Sequence, residues 1–329
     1  MEYDRLILIK KKRKVGLAGW WGGKNEGDLY ILRILKKIFN KEFRLSIINI
    51  PFQGDPHTIA YLNKLDFLII GGGGLFTLYF PSPFDTYNEW GESLKTPFGF
   101  LGVGVQEINE KMTGILANIL NKSVFFSVRD TGSYNIVRNI SDKVDKISDL
   151  TFLYPRKIKT SIKDHKIGVN LRIWDFDANR TYDNDRWCRA INGLKYEKVK
   201  IPLSFLKNID DRAAMKNIVA HNSRIFNIEL YNQIEIMLGM RLHSLIFAVQ
   251  NRIPCIGISY TPKIERFFDD MNLKEFCLGV DEYDKLYDLV EKTNNNKERI
   301  KTALDKYNNN ANQVVSKYID KVMEVIKNI

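Results

Sequence analysis

Short apolar runs alternate with helical patterns along the first half of the chain, and this alternation restricts the fold more than any other feature. Val15–Trp20, Arg44–Ile50, Phe67–Ile70, Phe98–Val103, Ser123–Val128 and Lys146–Ser148 read as strands. Leu29–Phe39, Met112–Leu120 and Thr131–Arg138 carry helical spacing between them. Strands separated by helices are joined by crossovers rather than hairpins, so the expected sheet is mostly parallel.

A second series begins near Lys166. Ile167–Leu171, Val199–Pro202, Arg224–Ile228, Ile234–Leu238 and Cys255–Ile258 read as strands, with helices at Asp185–Leu194 and Asp211–His221. Leu286 to Ile329 is helical and charge-rich, broken at Asn294–Asn296 and Asn308–Asn310. A chain of 329 residues is too long for one typical core and suits two of roughly 150 residues each. Polar Ile158–His165 is the expected linker. The expected class is therefore α/β, with two doubly wound, Rossmann-like domains facing a cleft. Residues 1–158 form the first, 159–305 the second, and 306–329 a C-terminal helix. Ligands of such sheets bind beyond the carboxyl ends of the strands, which puts the site in the cleft.

Composition removes several function classes. Cys188, Cys255 and Cys277 are odd in number and widely spaced, which argues against a disulfide framework or a zinc site and suits a reducing cytosol. The N-terminus has acidic Glu2 and Asp4 and only a four-residue apolar stretch, so no signal peptide is expected. No window approaches the ~18 apolar residues of a membrane span. The expectation is a cytoplasmic protein whose membrane contact, if any, is peripheral. The net charge of +11 is spread along the chain apart from Lys10–Lys14. That run reads equally as a solvated segment before the first strand or as a contact for an anionic membrane surface or nucleic acid.

The chemistry concentrates in Met237–Val249 and Ile253–Lys263, where Arg241, His243, Tyr260 and Lys263 stand among apolar residues. Charged groups are seldom buried unless paired, so two cations and a histidine here mark the rim of an anion-binding cleft. Arg241 and His243 fall where a strand passes into a helix, whose N-terminus favours an anion. A histidine titrates near neutrality and moves protons readily. His57, His165 and His221 lack such neighbours and read as surface or structural residues.

Three glycine-bearing strand ends accompany this stretch. Trp20–Asp28 links the first strand to the first helix, and its glycines allow close approach of a ligand; capping of the helix by Asp28 and simple turn formation are the plainer alternative. It matches neither the dinucleotide fingerprint nor the P-loop. Gly71–Gly74 ends a fully apolar strand, where exposed amides hold anions. Gly102–Gln106 is a less specific third. Arg129, beside Asp130 in Ser127–Ser133, is either half of a local ion pair or an anion contact. Asp210–Asp211 reads as a helix cap. No cluster has metal-ligand spacing.

As an ordered set these pieces resemble the polysaccharide pyruvyl transferase family. The matching segments are Asn25-Glu-Gly-Asp28, Ile70–Phe76, Ser127–Asp130 with Ser133, Ser148–Phe152, Gly168–Arg172, Gly239–Ala248, Ile253-Pro254 and Ser259–Lys263. The resemblance implies an architecture like GT-B glycosyltransferases, with an acceptor side in the first domain, a donor side in the second, and the 306–329 helix packing back toward the first. It implies transfer of a pyruvyl group from phosphoenolpyruvate to two hydroxyls of a sugar, giving a cyclic ketal and phosphate. His243 and Arg241 carry over as the catalytic pair. Arg129 carries over as an anion contact, and Lys263, Tyr260, Asn25, Asp28, Gly72, Gly73, Gly74 and Ser133 are the further expected substrate contacts, read from their own chemistry and placement. The implied partners are phosphoenolpyruvate as donor substrate and a glycan acceptor, lipid-linked at the membrane, with no nucleic acid, metal or other cofactor. The chain departs from the family pattern at Leu29, where many members have an acidic residue, and at Gln106-Glu107, where many have Gly-Pro.

Two other classes fit parts of the sequence. A nucleotide-sugar glycosyltransferase shares the architecture, but the second domain shows no acidic pair of the kind that holds a ribose. A basic nucleic-acid-binding protein would account for the charge, but would need aromatics on one basic face. Trp174–Trp187 has the composition of a saccharide contact and equally of a surface loop.

Overall fold

The computed structural model describes residues 12–50, 56–78, 84–154, 165–174, 182–220 and 225–329. In the first half, β1 (Lys14–Gly19), α1 (Glu26–Phe39), β2 (Arg44–Asn49), α2 (Pro56–Leu62) and β3 (Phe67–Gly71) are followed by α3 (Phe84–Ser93) and β4 (Phe98–Val103). Then come α4 (Glu110–Lys122), β5 (Phe126–Val128), α5 (Thr131–Arg138) and β6 (Asp145–Lys146). These strands form a six-stranded parallel sheet in the order β2-β1-β3-β4-β5-β6. β3 and β4 are buried on both faces, as an apolar run between two helical layers must be.

The second half contains β7 (Lys166–Asn170), α6 (Asn184–Gly193), β8 (Glu197–Lys200), α7 (Asp211–Ala214), β9 (Ile236–Gly239) and α8 (Leu242–Gln250). It continues with β10 (Cys255–Ser259), α9 (Pro262–Asp270), β11 (Cys277–Gly279), α10 (Leu286–Asn295) and α11 (Lys297–Asn328). Its five strands are also parallel, in the order β11-β10-β9-β7-β8. The chain therefore has two parallel-sheet α/β domains. The strand order reverses between β1 and β3 in one sheet and between β7 and β9 in the other, and ligands of open α/β sheets bind at such points.

Several elements differ from the expectation. Residues 225–227 are not a strand; they lead into a 3₁₀ segment, Ile228–Gln233, whose start is capped by the Asn227 side chain and whose Tyr231 fills the core. The helix expected over Asp211–His221 is the single turn α7, because the Asp211 carboxylate turns inward to main-chain amides and Arg241. His221 and Arg224 lie outside the described residues, as do Lys10, Lys11, most of the expected linker and residues 175–181 of the aromatic segment. Trp187, at that segment's end, is a core residue with no exposure. The asparagines at 308–310 do not interrupt α11. Asn308 instead donates to the Val249 carbonyl (2.7 Å), and Asn312 to that of Phe152 (2.9 Å). The sequence reading missed α2, α3, α9 and β11.

The two domains are sewn together along the cleft. Glu26 and Phe205 exchange main-chain hydrogen bonds with Leu203 and Lys24 respectively, at 2.8 and 3.1 Å. Tyr30 of α1 packs into the second domain's core against Tyr154, Phe226 and Phe247. Val315, Tyr318, Ile319, Val322 and Ile326 of α11 bury their apolar faces in the first domain's cluster with Leu35 and Phe39. None of the described helices is long and apolar enough to cross a membrane.

Candidate active site

The first wall of the site is built from β1–α1 and the end of β3. Asn25 caps α1, accepting from the Gly27 amide (3.0 Å), and bridges to Ser204 of the second domain. Gly72 and Gly73 have φ of 75° and 80°, a region that glycine enters without steric cost. A β-carbon on Gly72 would also lie 2.6 Å from Ile31, so the glycine lets α1 sit down on the strand end. Gly74 is exposed beside Gln106 and Arg129. Asp28 is nine-tenths buried and points at Gly73.

Arg129 follows β5 and lies along the Gly104 backbone, where a β-carbon would be 3.1 Å from its Nε. Its Nη1 donates to Asp149 Oδ2 at 3.0 Å, both side chains being almost fully buried. The Asp149 Oδ1 accepts from the Thr151 amide and hydroxyl at 3.0 and 2.8 Å. His243 Nε2 stands 3.6 Å from Asp149 Oδ2. Burial by itself would raise the Asp149 pKa. Its interactions with His243 and Arg129 and the Thr151 amide overcome that and hold the carboxyl well below the usual carboxylate range. Asp149 is thus an ionised carboxylate shared by an arginine and the histidine.

The second wall comes from the ends of β7 and β9. Arg241 Nε bonds both oxygens of Asp211, at 2.7 and 2.8 Å, and its Nη2 reaches the Ile209 carbonyl at 2.9 Å. Asn170 accepts from the Arg241 amide (3.0 Å) and donates to Asp211 (2.9 Å). Asp211 Oδ2 also accepts from the Leu203 and Ser204 amides. The guanidinium is therefore fixed by a fully buried carboxylate, and a charge buried in this way is retained only because it is paired.

Beside Arg241 lies a third group. Arg172 Nη1 donates to the Tyr260 hydroxyl at 2.8 Å, and its guanidinium covers the Trp174 and Tyr260 rings at 4.9 and 4.6 Å. Lys263 Nζ stands 4.8 Å from the Tyr260 ring centroid. Burial acts to raise the Tyr260 pKa, but the positive charges of Arg172, Lys263 and Arg241 outweigh it and bring the phenol down to about 7.

The fold thus brings Asn25, Asp28, Gly72, Gly73, Gly74, Arg129, Arg241, His243, Tyr260 and Lys263 to the carboxyl ends of the strands of the two sheets. Ser133 is different. Fully buried, its hydroxyl accepts from the Val105 amide and donates to the Val105 carbonyl, tying α5 to the end of β4. Arg129 does not pair with Asp130, which caps α5 instead; its partner is Asp149. Asp210 caps α7, whereas Asp211 binds Arg241. His165 sits at the surface, stacked on Tyr196. Sequence reading left Asp149, Asn170, Arg172 and Asp211 out of the site. Asp149, Asn170 and Arg172 lay inside segments already singled out, yet only the tertiary contacts reveal their partners.

A family model for polysaccharide pyruvyl transferases matches residues 25–262. The chain belongs to the polysaccharide pyruvyl transferase family. The match begins at Asn25 and ends at the start of α9, so it takes in both walls of the cleft. No curated protein sequence matches this transferase significantly. Its fold is similar to that of the S. aureus MnaA–UDP co-structure (TM-score 0.63, 10% identity, covering 96% of this chain and 98% of that one). It is also similar to UDP-GlcNAc 2-epimerase from Neisseria meningitidis bound to UDP-GlcNAc (TM-score 0.59, 13% identity, 94% and 99%). A glycotransferase of kitacinnamycin aligns as well (TM-score 0.55, 8% identity, 96% and 99%). These likenesses give the transferase a GT-B-type fold.

Proposed function

We propose that this transferase moves the pyruvyl group of phosphoenolpyruvate onto two hydroxyls of one sugar in a cell-surface polysaccharide precursor, forming a cyclic ketal and releasing phosphate. The observation that carries this reading is the gathering of Arg129, Arg172, Arg241 and Lys263 around Tyr260 and the Asp149–His243 pair, with Arg129, Arg172, Arg241 and His243 themselves buried. A donor with both a carboxylate and a phosphate needs several cations, and a low-dielectric pocket strengthens each contact. Asn25, Gly73 and Gly74, on the first domain's wall, face the acceptor.

For the chemistry, an acceptor hydroxyl must lose a proton as it attacks the central carbon of the donor. His243 accepts it, and the ionised Asp149 at 3.6 Å stabilises the imidazolium so formed. His243 then returns the proton to the departing phosphate. The donor is a substrate, and the sequence as proposed requires no resident cofactor. The acceptor glycan is lipid-linked and met at the cytoplasmic membrane face, where Lys12, Arg13 and Lys14 supply charge toward anionic lipid.

The test is phosphate release from phosphoenolpyruvate in the presence of candidate glycan acceptors. Turnover by the wild type and its loss in His243→Ala are the expected results. Saturable binding of a uridine or guanosine diphosphate sugar, with no response to phosphoenolpyruvate, would replace this reading with nucleotide-sugar transfer.

A further inference from the structure

His243 covers only one of the two proton positions in that chemistry. The methylene carbon of the donor must also gain a proton, and three neighbouring buried groups mark where its source lies. His243 Nε2 and Arg129 Nε are buried without a hydrogen-bond partner among the described residues. The third is Asp28. Its side chain is in the first turn of α1, on the wall that touches His243: a β-carbon on the preceding Gly27 would stand 1.9 Å from His243 Nδ1. Asp28 is 9% exposed, and its Oδ1 lies 3.0 Å from where a β-carbon on Gly73 would stand, so the carboxyl is enclosed between α1 and the end of β3.

A buried carboxyl is expensive to ionise. The groups facing it are His243 of α8, Arg129 after β5, Asp149 ahead of the 3₁₀ turn Leu150–Leu153, and Arg241 after β9. Burial raises the Asp28 pKa and the Asp149 charge adds to that, against His243, Arg129 and Arg241. Asp149 is pushed the opposite way. Two neighbouring carboxyls driven apart in this manner divide naturally into an acid and a permanently charged partner.

We propose that Asp28 is a catalytic residue of this cleft, the acid that protonates the methylene carbon of phosphoenolpyruvate. The assignment rests on the pyruvyl-transfer reading above. The Asp28 O–H bond breaks and the donor's double-bond pair forms the new methyl C–H bond. The first acceptor oxygen bonds to the central carbon and gives its proton to His243. The C–O bond to phosphate then breaks, the pair leaving with phosphate, which takes the His243 proton. The second hydroxyl closes the ring and passes its proton to the Asp28 carboxylate, restoring both residues.

The experiment compares wild type, Asp28→Asn and Asp28→Glu for kcat, for phosphoenolpyruvate binding by thermal shift, and for the pH profile of kcat. Asp28→Asn is expected to lower kcat by about 100-fold or more, the range typical of a lost general acid, while the phosphoenolpyruvate thermal shift persists. The alkaline limb of the wild-type profile should disappear with it, and Asp28→Glu should restore part of kcat. Infrared difference spectra of the wild type should show a protonated carboxyl band at neutral pH that titrates with this limb, whether or not the variants fold. Asp28→Asn retaining kcat within about threefold, losing donor binding in parallel with kcat, or absence of the infrared band would each overturn the assignment. A wild type that releases no phosphate from phosphoenolpyruvate retires the functional reading, and this one with it; an active wild type with an equally active Asp28→Asn retires this one alone.

Discussion

Gly27 and His243 touch across the domain boundary so closely that a β-carbon on Gly27 would lie 1.9 Å from His243 Nδ1. The first helix of one domain thereby sets the position of the imidazole carried by the other. Gly27→Ala should displace the ring, and a misplacement of about 1 Å commonly costs on the order of 100-fold in rate. The helix itself gains up to about 1 kcal/mol from alanine. A large fall in kcat with little or no fall in Tm is the expected result. An unchanged kcat would show that the imidazole position is not set by this contact.

Asp211 should matter for stability as well as for the site. Asp211→Ala strips Arg241 of its bidentate partner and leaves the Leu203 and Ser204 amides and Asn170 short of an acceptor. Breaking a buried pair from one side costs about 3–5 kcal/mol. Urea denaturation should register a loss of that size with an unchanged m-value, which separates lost stability from a change in compactness.

Asp149 gives a pH signature. Its folded pKa lies below the unfolded value, so its stabilisation is present above the ordinary carboxylate range and is lost as pH falls through the folded pKa. Asp149→Asn keeps the shape but not the charge. The Tm gap between wild type and variant should be wide at neutral pH and narrow in acid. A gap independent of pH would mean that the charge contributes nothing.

Tyr260 should titrate near neutrality. Its folded pKa of about 7 is below the usual tyrosine value, so its contribution to stability is present above that usual value and is lost as pH falls through about 7. Burial drives Tyr87, Tyr231 and Tyr307 upward instead, which isolates the signal. The phenolate absorption band should grow in through pH 7, vanish in Tyr260→Phe, and shift to higher pH in Lys263→Met.

Much of the scaffold was legible because each strand of a parallel sheet is a local apolar run. Phe98–Val103 and Thr131–Arg138 were read with their observed bounds. The errors came where local pattern competes with long-range partners. Asp211 looked like the cap of a long helix, yet its carboxylate is drawn inward by Arg241, 30 residues later. Asn308 looked like a helix break, but its amide finds the Val249 carbonyl and the helix runs on. Of the cleft, the basic and glycine-bearing segments were visible; their pairing was not.

The sequence alone determined that this chain forms parallel α/β sheets with glycine-rich strand ends and that Arg241 and His243 stand at a strand-to-helix junction, since periodicity and turn chemistry act over a few residues. Only the tertiary structure decided that Arg129 answers to Asp149 rather than Asp130, that Asp211 holds Arg241, and that Asp28 is buried against the histidine of the other domain. Burial and charge pairing depend on what the rest of the chain brings near, and that proximity exists only once the two domains have packed together.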